Sequence, residues 1–555
     1  MYNELSRYIP DNAFTLDYRK NFEKMAEEYR KQPIIVPPYS LFKLFQETGS
    51  RVEYEAVYFD IRKRCDIFAI LMLSGKNEYK EDLEDTLFAI CDEFTWALPA
   101  HLYSHWSIDE KVTRIDLFAS ETAYMLSTIW YLLKDELSKE VADRIEYELR
   151  RRIIAPYMKN HPRWEKSNWS AVTSCNVFHT MVYLGCDEEL KEAIPCLQTN
   201  AEDFLESYQD DGCCMEGTMY WSYGFEHFCF FANLLRQYTH GEIDYFKNEK
   251  VRRIARYGFV AFFDENMTLP FSDSPHRFNY NIGFYHFLKK EYPELPLPDA
   301  TFAQHFGDEK RHRFAEILVS LYWYDPALTG KQTFTDNVDF PLSQVYIRNR
   351  DNYHFACKGG FNDEPHNHDD VGNLIFIKDK TFILDDAGWP EYDKWYIGTE
   401  KRYTDYICSM SEGHTVPIVN GKPQKWGREY HGDVLKAEAD EIIIDLSNAY
   451  AQDGVSIVRT MTLQAEGIKI TDVFTGVETV TERFITREIP EIINDREVKI
   501  GSCILRSETA KPVKISSADY TPRGVSHIGM KDLETLYMID FLPDHVNEAQ
   551  IFTVE

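Results

Sequence analysis

Three short segments concentrate side chains that can do chemistry. In one, Gly359-Gly360-Phe361-Asn362-Asp363-Glu364-Pro365 leads into His366-Asn367-His368-Asp369-Asp370 and then into an apolar run at 374–377. Asp386 stands eighteen residues past His368, just after the next apolar run. His414 follows in Ser411-Glu412-Gly413-His414-Thr415-Val416. One hairpin and a neighbouring strand can bring His368, Asp386 and His414 together. Two imidazoles and one carboxylate suit zinc, which takes nitrogen and oxygen ligands tetrahedrally. His and Asp at strand ends are more often loop caps or solvated groups, so spacing alone leaves both roles open.

The second segment is Asp210-Asp211-Gly212-Cys213-Cys214-Met215-Glu216-Gly217-Thr218-Met219-Tyr220-Trp221-Ser222-Tyr223. Tyr220 and Tyr223, three apart at a helix start, share a face. An aromatic core behind a helix-entry turn explains the same pattern. The third is Trp164-Glu165-Lys166-Ser167-Asn168-Trp169-Ser170, where Asn168 is a natural helix cap. Arg150, Arg151 and Arg152 just upstream form a local basic exception in an acidic chain.

The elements that must position these residues change character along the chain. Up to about residue 325, apolar residues recur at three- and four-residue steps, as in Leu117, Ala119, Ala123, Leu126 and Ile129. The pattern predicts helices over 54–73, 115–133, 139–154 and 225–238, among ten to twelve such segments in all. That number suits a closed array of helical hairpins, an α/α toroid, and no short sequence repeat points to a solenoid. After Asp325-Pro326 come short β-rich runs at 344–347, 353–357, 374–377, 382–384, 442–446, 456–463 and 468–473, split by turn signals. These predict an antiparallel domain of two packed sheets. The expected division is a helical domain at 1–335 and a sheet domain at 340–555.

Composition narrows the partners. The 555 residues carry 61 Lys and Arg against 91 Asp and Glu, a net charge of −30, which disfavours nucleic acid and anionic membrane surfaces. Aromatic residues reach 15%, enough for a stacking cleft or for a large aromatic core. Eleven cysteines without paired spacing predict reduced thiols. With no basic-then-apolar leader pattern and no apolar run of spanning length, a cytoplasmic location is expected.

Taken together, the segments resemble the heparinase II/III-like polysaccharide lyases over most of the chain. Carrying the resemblance are Trp96-Ala97-Leu98-Pro99-Ala100-His101, Ile115-Asp116-Leu117-Phe118-Ala119-Ser120-Glu121, Asn168-Trp169, Asp211-Gly212 through Tyr220, and Leu269-Pro270-Phe271-Ser272-Asp273. The most specific carrier is His366-Asn367-His368 through Asp386-Ala387-Gly388, similar to the hallmark His-x-His-x-Asp…Asp-x-Gly. The resemblance implies an incomplete α/α toroid followed by an antiparallel β-sandwich. It implies β-elimination on a uronic-acid-containing glycan. Removing the C5 proton beside a carboxylate requires that carboxylate to be neutralised by hydrogen bonds. The resemblance gives that task to Asn168 and His366, and the acid/base role to Tyr220, with Tyr223 the competing ring. Arg114, Trp169, Glu216 and His101 are the implied sugar contacts. His368, Asp386 and His414 would hold one structural zinc that fixes the loop presenting His366. Some members place a histidine where this chain has Asn168 followed by Trp169, which leaves the base and the stereochemistry at C5 open.

The expected partner is thus an acidic polysaccharide or oligosaccharide, cleaved exo-wise as imported fragments in a cytoplasm; a homodimer is allowed for. Two other readings remain open at this stage. A glycoside hydrolase on the same toroid would use two of Asp211, Glu216 and Asp273. A non-catalytic carbohydrate-binding protein would keep the fold without turnover.

Overall fold

Helix starts and stops follow local capping chemistry rather than the apolar stripe alone. In the computed structural model, which describes residues 8–308, 311–364, 366–397, 401–520 and 534–555, the helix expected from 115 is Leu117–Leu133. Asp116 ends the preceding chain as its cap, with Oδ1 accepting the Ala119 amide at 2.7 Å. The helix expected from 225 begins earlier, as Thr218–Tyr238. The stretch expected as one helix over 139–154 is broken: Lys139–Leu149 passes through one wide turn, Arg150–Ile154, into Ala155–Asn160. Pro156 has no amide to donate, and the Ala155 N–H reaches back five residues to the Arg150 carbonyl. The basic triplet there divides: Arg150 is exposed and Arg151 half-buried, paired with Glu146 and Glu148 respectively. Arg152 is buried, with Nε 2.6 Å from the Glu148 carboxylate and its guanidinium 4.8 Å over the Trp96 ring.

The described chain forms two compact units. One holds the chain up to Tyr208, Tyr220–Ala255 and Asn279–Gln332; the other holds Gln209–Met219, Arg256–Phe278 and Thr333–Glu555. The first unit is helical. Among the described residues, eleven helices of ten residues or more lie between Ala13 and Trp323, packed largely as neighbouring hairpins. Their stripes bury an aromatic-rich interior, in which Tyr54, Tyr58, Phe59, Phe118, Val172 and Tyr223 form one cluster.

The second unit is antiparallel sheet. Val338–Phe340, Val345–Asn349, Tyr353–Lys358, Leu374–Lys378 and Thr381–Leu384 form a five-stranded sheet in that order. An eight-stranded sheet has Ser456–Leu463, Ile468–Thr475 and Gln550–Val554 side by side, and a four-stranded sheet centres on Glu534–Pro543 and Val480–Thr486. Ser456–Leu463 alternates strictly between buried and half-buried positions, the signature of a strand with one face on the core. Phe355, Phe376, Ile444, Ile457, Phe484, Phe541 and Phe552 from all three sheets join in a single core. All eleven cysteines are free thiols, ten of them buried. Among the described residues no helix is long and apolar enough to cross a membrane.

Candidate active site

In the sheet unit the site is built on a hairpin. Lys378 pairs with Thr381 across a two-residue turn whose Asp379 and Lys380 both have φ above +50°, the tight turn that matches strand twist. The far ends of the two strands therefore meet. Asn373, before one strand, donates to Asp386 Oδ2 at 2.7 Å, after the other. The Gly388 amide donates to Asp386 Oδ1 at 2.8 Å.

Around Asp386 stand His368 and His414, all three fully buried, with one ligand atom from each lying within 4.8 Å of the others. His414 donates Nε2–H to the Cys408 carbonyl at 3.0 Å, so its Nδ1 faces Asp386 Oδ2, 3.2 Å away. Burial opposes a charge on His414, but Asp386 outweighs it and draws the imidazole above its ordinary range. His368 donates Nε2–H to Asp273 at 3.1 Å, and its buried Nδ1 has no partner. Burial holds His368 below the ordinary imidazole range, so this Nδ1 is a bare lone pair. A buried lone pair without a donor is costly. Converging with a second imidazole and a carboxylate, it makes a donor set that could hold a metal ion.

Asp273 ties this cluster to His366. It is fully buried, and Oδ2 accepts His366 Nδ1–H at 2.6 Å. Tyr392 also donates to Oδ2, Tyr396 to Oδ1 at 2.7 Å, and Arg402 approaches Oδ1 at 3.4 Å. Burial alone would raise this carboxyl; Arg402 and His366 reverse that and hold it well below the usual carboxylate range. His366 Nε2 lies 3.4 Å from Glu216. Two backbone conformations here are rare for residues with a Cβ: His366 at φ +58° and Ser272 at φ +60°, strain of the kind that collects at functional sites. Gly217 also belongs to this construction. At φ +92° a side chain would be strained, and its Cβ would lie 2.4 Å from that of Ser274. Its absence lets Glu216 and the Ser272–Ser274 turn close up, with the Thr218 amide donating to Ser274 Oγ at 3.2 Å.

The helical unit carries the other predicted residues. Ser167, not Asn168, caps the Asn168–Tyr183 helix, its Oγ accepting the Trp169 amide at 3.3 Å. Asn168 is buried on the first turn, against the Thr218–Tyr238 helix. A Cβ placed on Gly224 would stand 3.1 Å from the Asn168 Cβ and 3.0 Å from Phe204, so glycine sets this close approach. Gly224 is one turn beyond Tyr220, which is half-buried. Tyr223 differs: it is buried, donates to Glu121, and lies under the Arg313 guanidinium, 3.8 Å from the ring centre. Burial and then the Glu121 carboxylate push its phenol well above the ordinary value, and Arg313 only partly offsets them. His101 donates Nδ1–H to Asp116 at 2.6 Å and meets the edge of Trp169 at 4.9 Å. Arg114 lies over Trp106, 5.5 Å from its ring centre.

Sequence reasoning missed Tyr392, Tyr396 and Arg402, and took Asp273 as part of a loop motif and as a candidate hydrolase carboxylate, not as the partner of His366. Asp273 lies 93 residues from His366 in the chain. The one available signal was the density of tyrosine in Tyr392-Asp393-Lys394-Trp395-Tyr396.

Fold and site together are those of an α/α toroid with an antiparallel sheet unit and a buried His/His/Asp cluster. Among solved structures the chain is similar to heparinase III, with a TM-score of 0.62 and 13% identity over 99% of this chain and 92% of that one. It is also similar to the heparan sulfate lyase of Pedobacter heparinus, at 0.58 and 13% over 98% and 87%. Chondroitin AC lyase of Streptomyces coelicolor A3, solved with chondroitin sulphate, matches at 0.55 and 9% over 98% and 79%. The fold therefore resembles that of polysaccharide lyases. No family model and no curated protein sequence matches the chain.

Proposed function

We propose that the protein is a lyase that cleaves uronic-acid-containing glycans by β-elimination. The observation that carries the reading is the packing of Asn168 against Gly224, which sets a buried amide beside the helical turn bearing Tyr220. Asn168 and His366 donate to the uronate carboxylate, so that charge developing as C5 loses its proton is spread onto neutralised oxygens. Tyr220 serves as base, acid or both: the C5 proton passes to its phenolate or to water, the C4–O bond breaks as the C4–C5 double bond forms, and the leaving oxygen takes a proton from the phenol or from water. Tyr223 is the weaker choice, because its proton is already committed to Glu121 and its phenolate is costly there. Asp273 fixes His366 through Nδ1. Trp169, His101, Glu216 and Arg114 line the sugar. When bound, a zinc ion on His368, Asp386 and His414 supplies a rigid cross-link in the loop carrying His366. We assign the substrate to oligosaccharides, cut exo-wise in a cytoplasm.

Hydrolysis fits these residues less well. An inverting or retaining hydrolase needs one carboxyl held protonated. Asp211 accepts from the Leu342 and Ser343 amides at 2.9 and 2.8 Å and from Ser343 Oγ at 2.9 Å, which makes it a tether between loops. Asp273 is ionised but fully buried, its oxygens taken up by His366, Tyr392 and Tyr396, so it can serve neither as the acid nor as a base facing water, and Glu216 is left without a second carboxyl among these three. The test is incubation with a panel of uronic polysaccharides and their oligomers. Elimination gives products with a conjugated C4–C5 double bond that absorb in the ultraviolet; substrate loss without that absorbance would refute the proposal.

A further inference from the structure

One cationic group of the helical unit, placed above only as lining the sugar, has no charge partner of its own. Arg62, Arg152, Arg236 and Arg313 each pair with a glutamate. Arg114 is half-buried with its Nε shut off from solvent, yet among the described residues it makes neither a hydrogen bond nor an ion pair. The chain carries a net charge of −30, so acidic partners are plentiful, and Arg114 has taken none. It lies over Trp106, whose ring meets the exposed Tyr103 edge-on at 4.9 Å.

The segment that shapes this spot is firmly held. Ser107 and Glu110 cap each other reciprocally, with the Ser107 amide 2.7 Å from Glu110 Oε2 and the Glu110 amide 3.2 Å from Ser107 Oγ. Lys111 Nζ donates to the Ser104 carbonyl at 3.1 Å, and Thr95 Oγ1 donates to the Lys111 carbonyl at 2.7 Å. Glu110 and Lys111 are therefore engaged in the loop, and Arg114 keeps its donors. Two residues on, Asp116 holds His101, which touches Trp169, the neighbour of Asn168. A run of contacts thus leads from this spot to the amide assigned to the uronate.

We propose that Arg114 and Trp106 form a subsite for an anionic group, carboxylate or sulfate, on a sugar residue other than the one undergoing elimination. The guanidinium offers paired donors to oxygens of either group, and the indole and phenol rings offer apolar faces to the sugar ring. The inference rests on the glycan-lyase reading and adds what the enzyme reads beyond the scissile residue.

The test is calorimetric titration of Tyr220→Phe protein, so that turnover does not intervene. The ligands are tetrasaccharides of heparan sulfate, desulfated heparan sulfate, chondroitin sulfate and alginate, with neutral chitotetraose as control. Adding Arg114→Ala should weaken the tightest anionic ligand by about tenfold or more and leave the neutral one unchanged. The melting temperature should change little, because Arg114 gives up no hydrogen bond and no ion pair, only its place over Trp106, and Arg114→Lys should recover part of the affinity. A loss confined to sulfated ligands identifies sulfate as the group read; a loss that persists on desulfated ones identifies carboxylate. Unchanged affinity for anionic ligands, or an equal loss for the neutral one, overturns the subsite. If no anionic tetrasaccharide binds the Tyr220→Phe protein, the lyase reading falls and the subsite with it, a result distinct from binding that ignores Arg114.

Discussion

At the scale of single residues, one hydroxyl and two hydrogen-bond donors decide the chemistry on the substrate. Tyr220→Phe keeps the ring, so packing and melting temperature should be retained while turnover falls at least ~10²-fold, as for loss of a positioned acid/base group. Tyr223→Phe should act differently, leaving Glu121 and Arg313 without their phenol and showing first as lost stability. Collapse of turnover in Tyr223→Phe with near-normal Tyr220→Phe would reverse the assignment. Asn168→Ala and His366→Ala should lower kcat more than they raise KM, because their hydrogen bonds strengthen as charge builds in the transition state. A rise in KM at constant kcat would make them ordinary binding groups.

At the scale of elements, two close approaches do the positioning, and both can be probed. Replacing a mid-helix glycine by alanine ordinarily stabilises a helix by about 1 kcal/mol. At Gly224 the new methyl meets Asn168 and Phe204 at about 3 Å, so Gly224→Ala should bring no rise in melting temperature and a loss of turnover. A more stable and fully active Gly224→Ala protein would show that the approach does not matter. The hairpin ending at Asn373 and Asp386 should carry a metal: elemental mass spectrometry of purified protein should find about one zinc per chain. Chelation should lower the melting temperature, and occupancy should fall at acidic pH as the ligand nitrogens protonate. His414→Ala protein that keeps its zinc, or metal-free protein with unchanged melting, would contradict the site. The meeting of these loops was legible in the sequence because a two-residue turn brings Asn373 beside Asp386, with His368 five residues upstream, while the metal role itself came from the family resemblance. Asp273 was not legible as a hub: it reaches His366 and His368 only through the fold, and no local pattern signals a contact across 93 residues. The break at Arg150–Ile154 was hidden for a different reason, because the apolar stripe runs on through a turn that Pro156 forces to widen.

At the scale of the whole molecule, the change from helical to strand periodicity near residue 325 was readable from the period of apolar residues, and the toroid-then-sheet order from the number of helical segments together with the family resemblance. The assignment of 209–219 and 256–278 to the sheet unit was not readable, because it depends on tertiary packing. Stability of the whole should carry one titration from the helical unit. Glu226 is fully buried against Ser222 and Asn281, and burial raises its carboxyl to about 8 despite those hydrogen bonds. A carboxyl raised on folding holds its proton more tightly in the native state. Its contribution is therefore full below the unfolded value and is lost as pH rises through about 8. Glu226→Gln cannot ionise, so relative to the parent it should gain stability between pH 5 and 8.5, on the order of a few kcal/mol. A difference that stays constant over that range, by denaturant unfolding, would mean that Glu226 does not titrate there.

The central claim is that the glycosidic bond is broken by elimination, with no water consumed. The most direct test is mass spectrometry of the products formed from a defined uronic-acid oligosaccharide in heavy-oxygen water. The account predicts two fragments whose masses sum to that of the substrate, an unsaturated residue at the new non-reducing end, no heavy oxygen incorporated by cleavage, and none of these products from Tyr220→Phe protein. Fragments that together exceed the substrate by one water, with heavy oxygen at the cleaved bond, would contradict it.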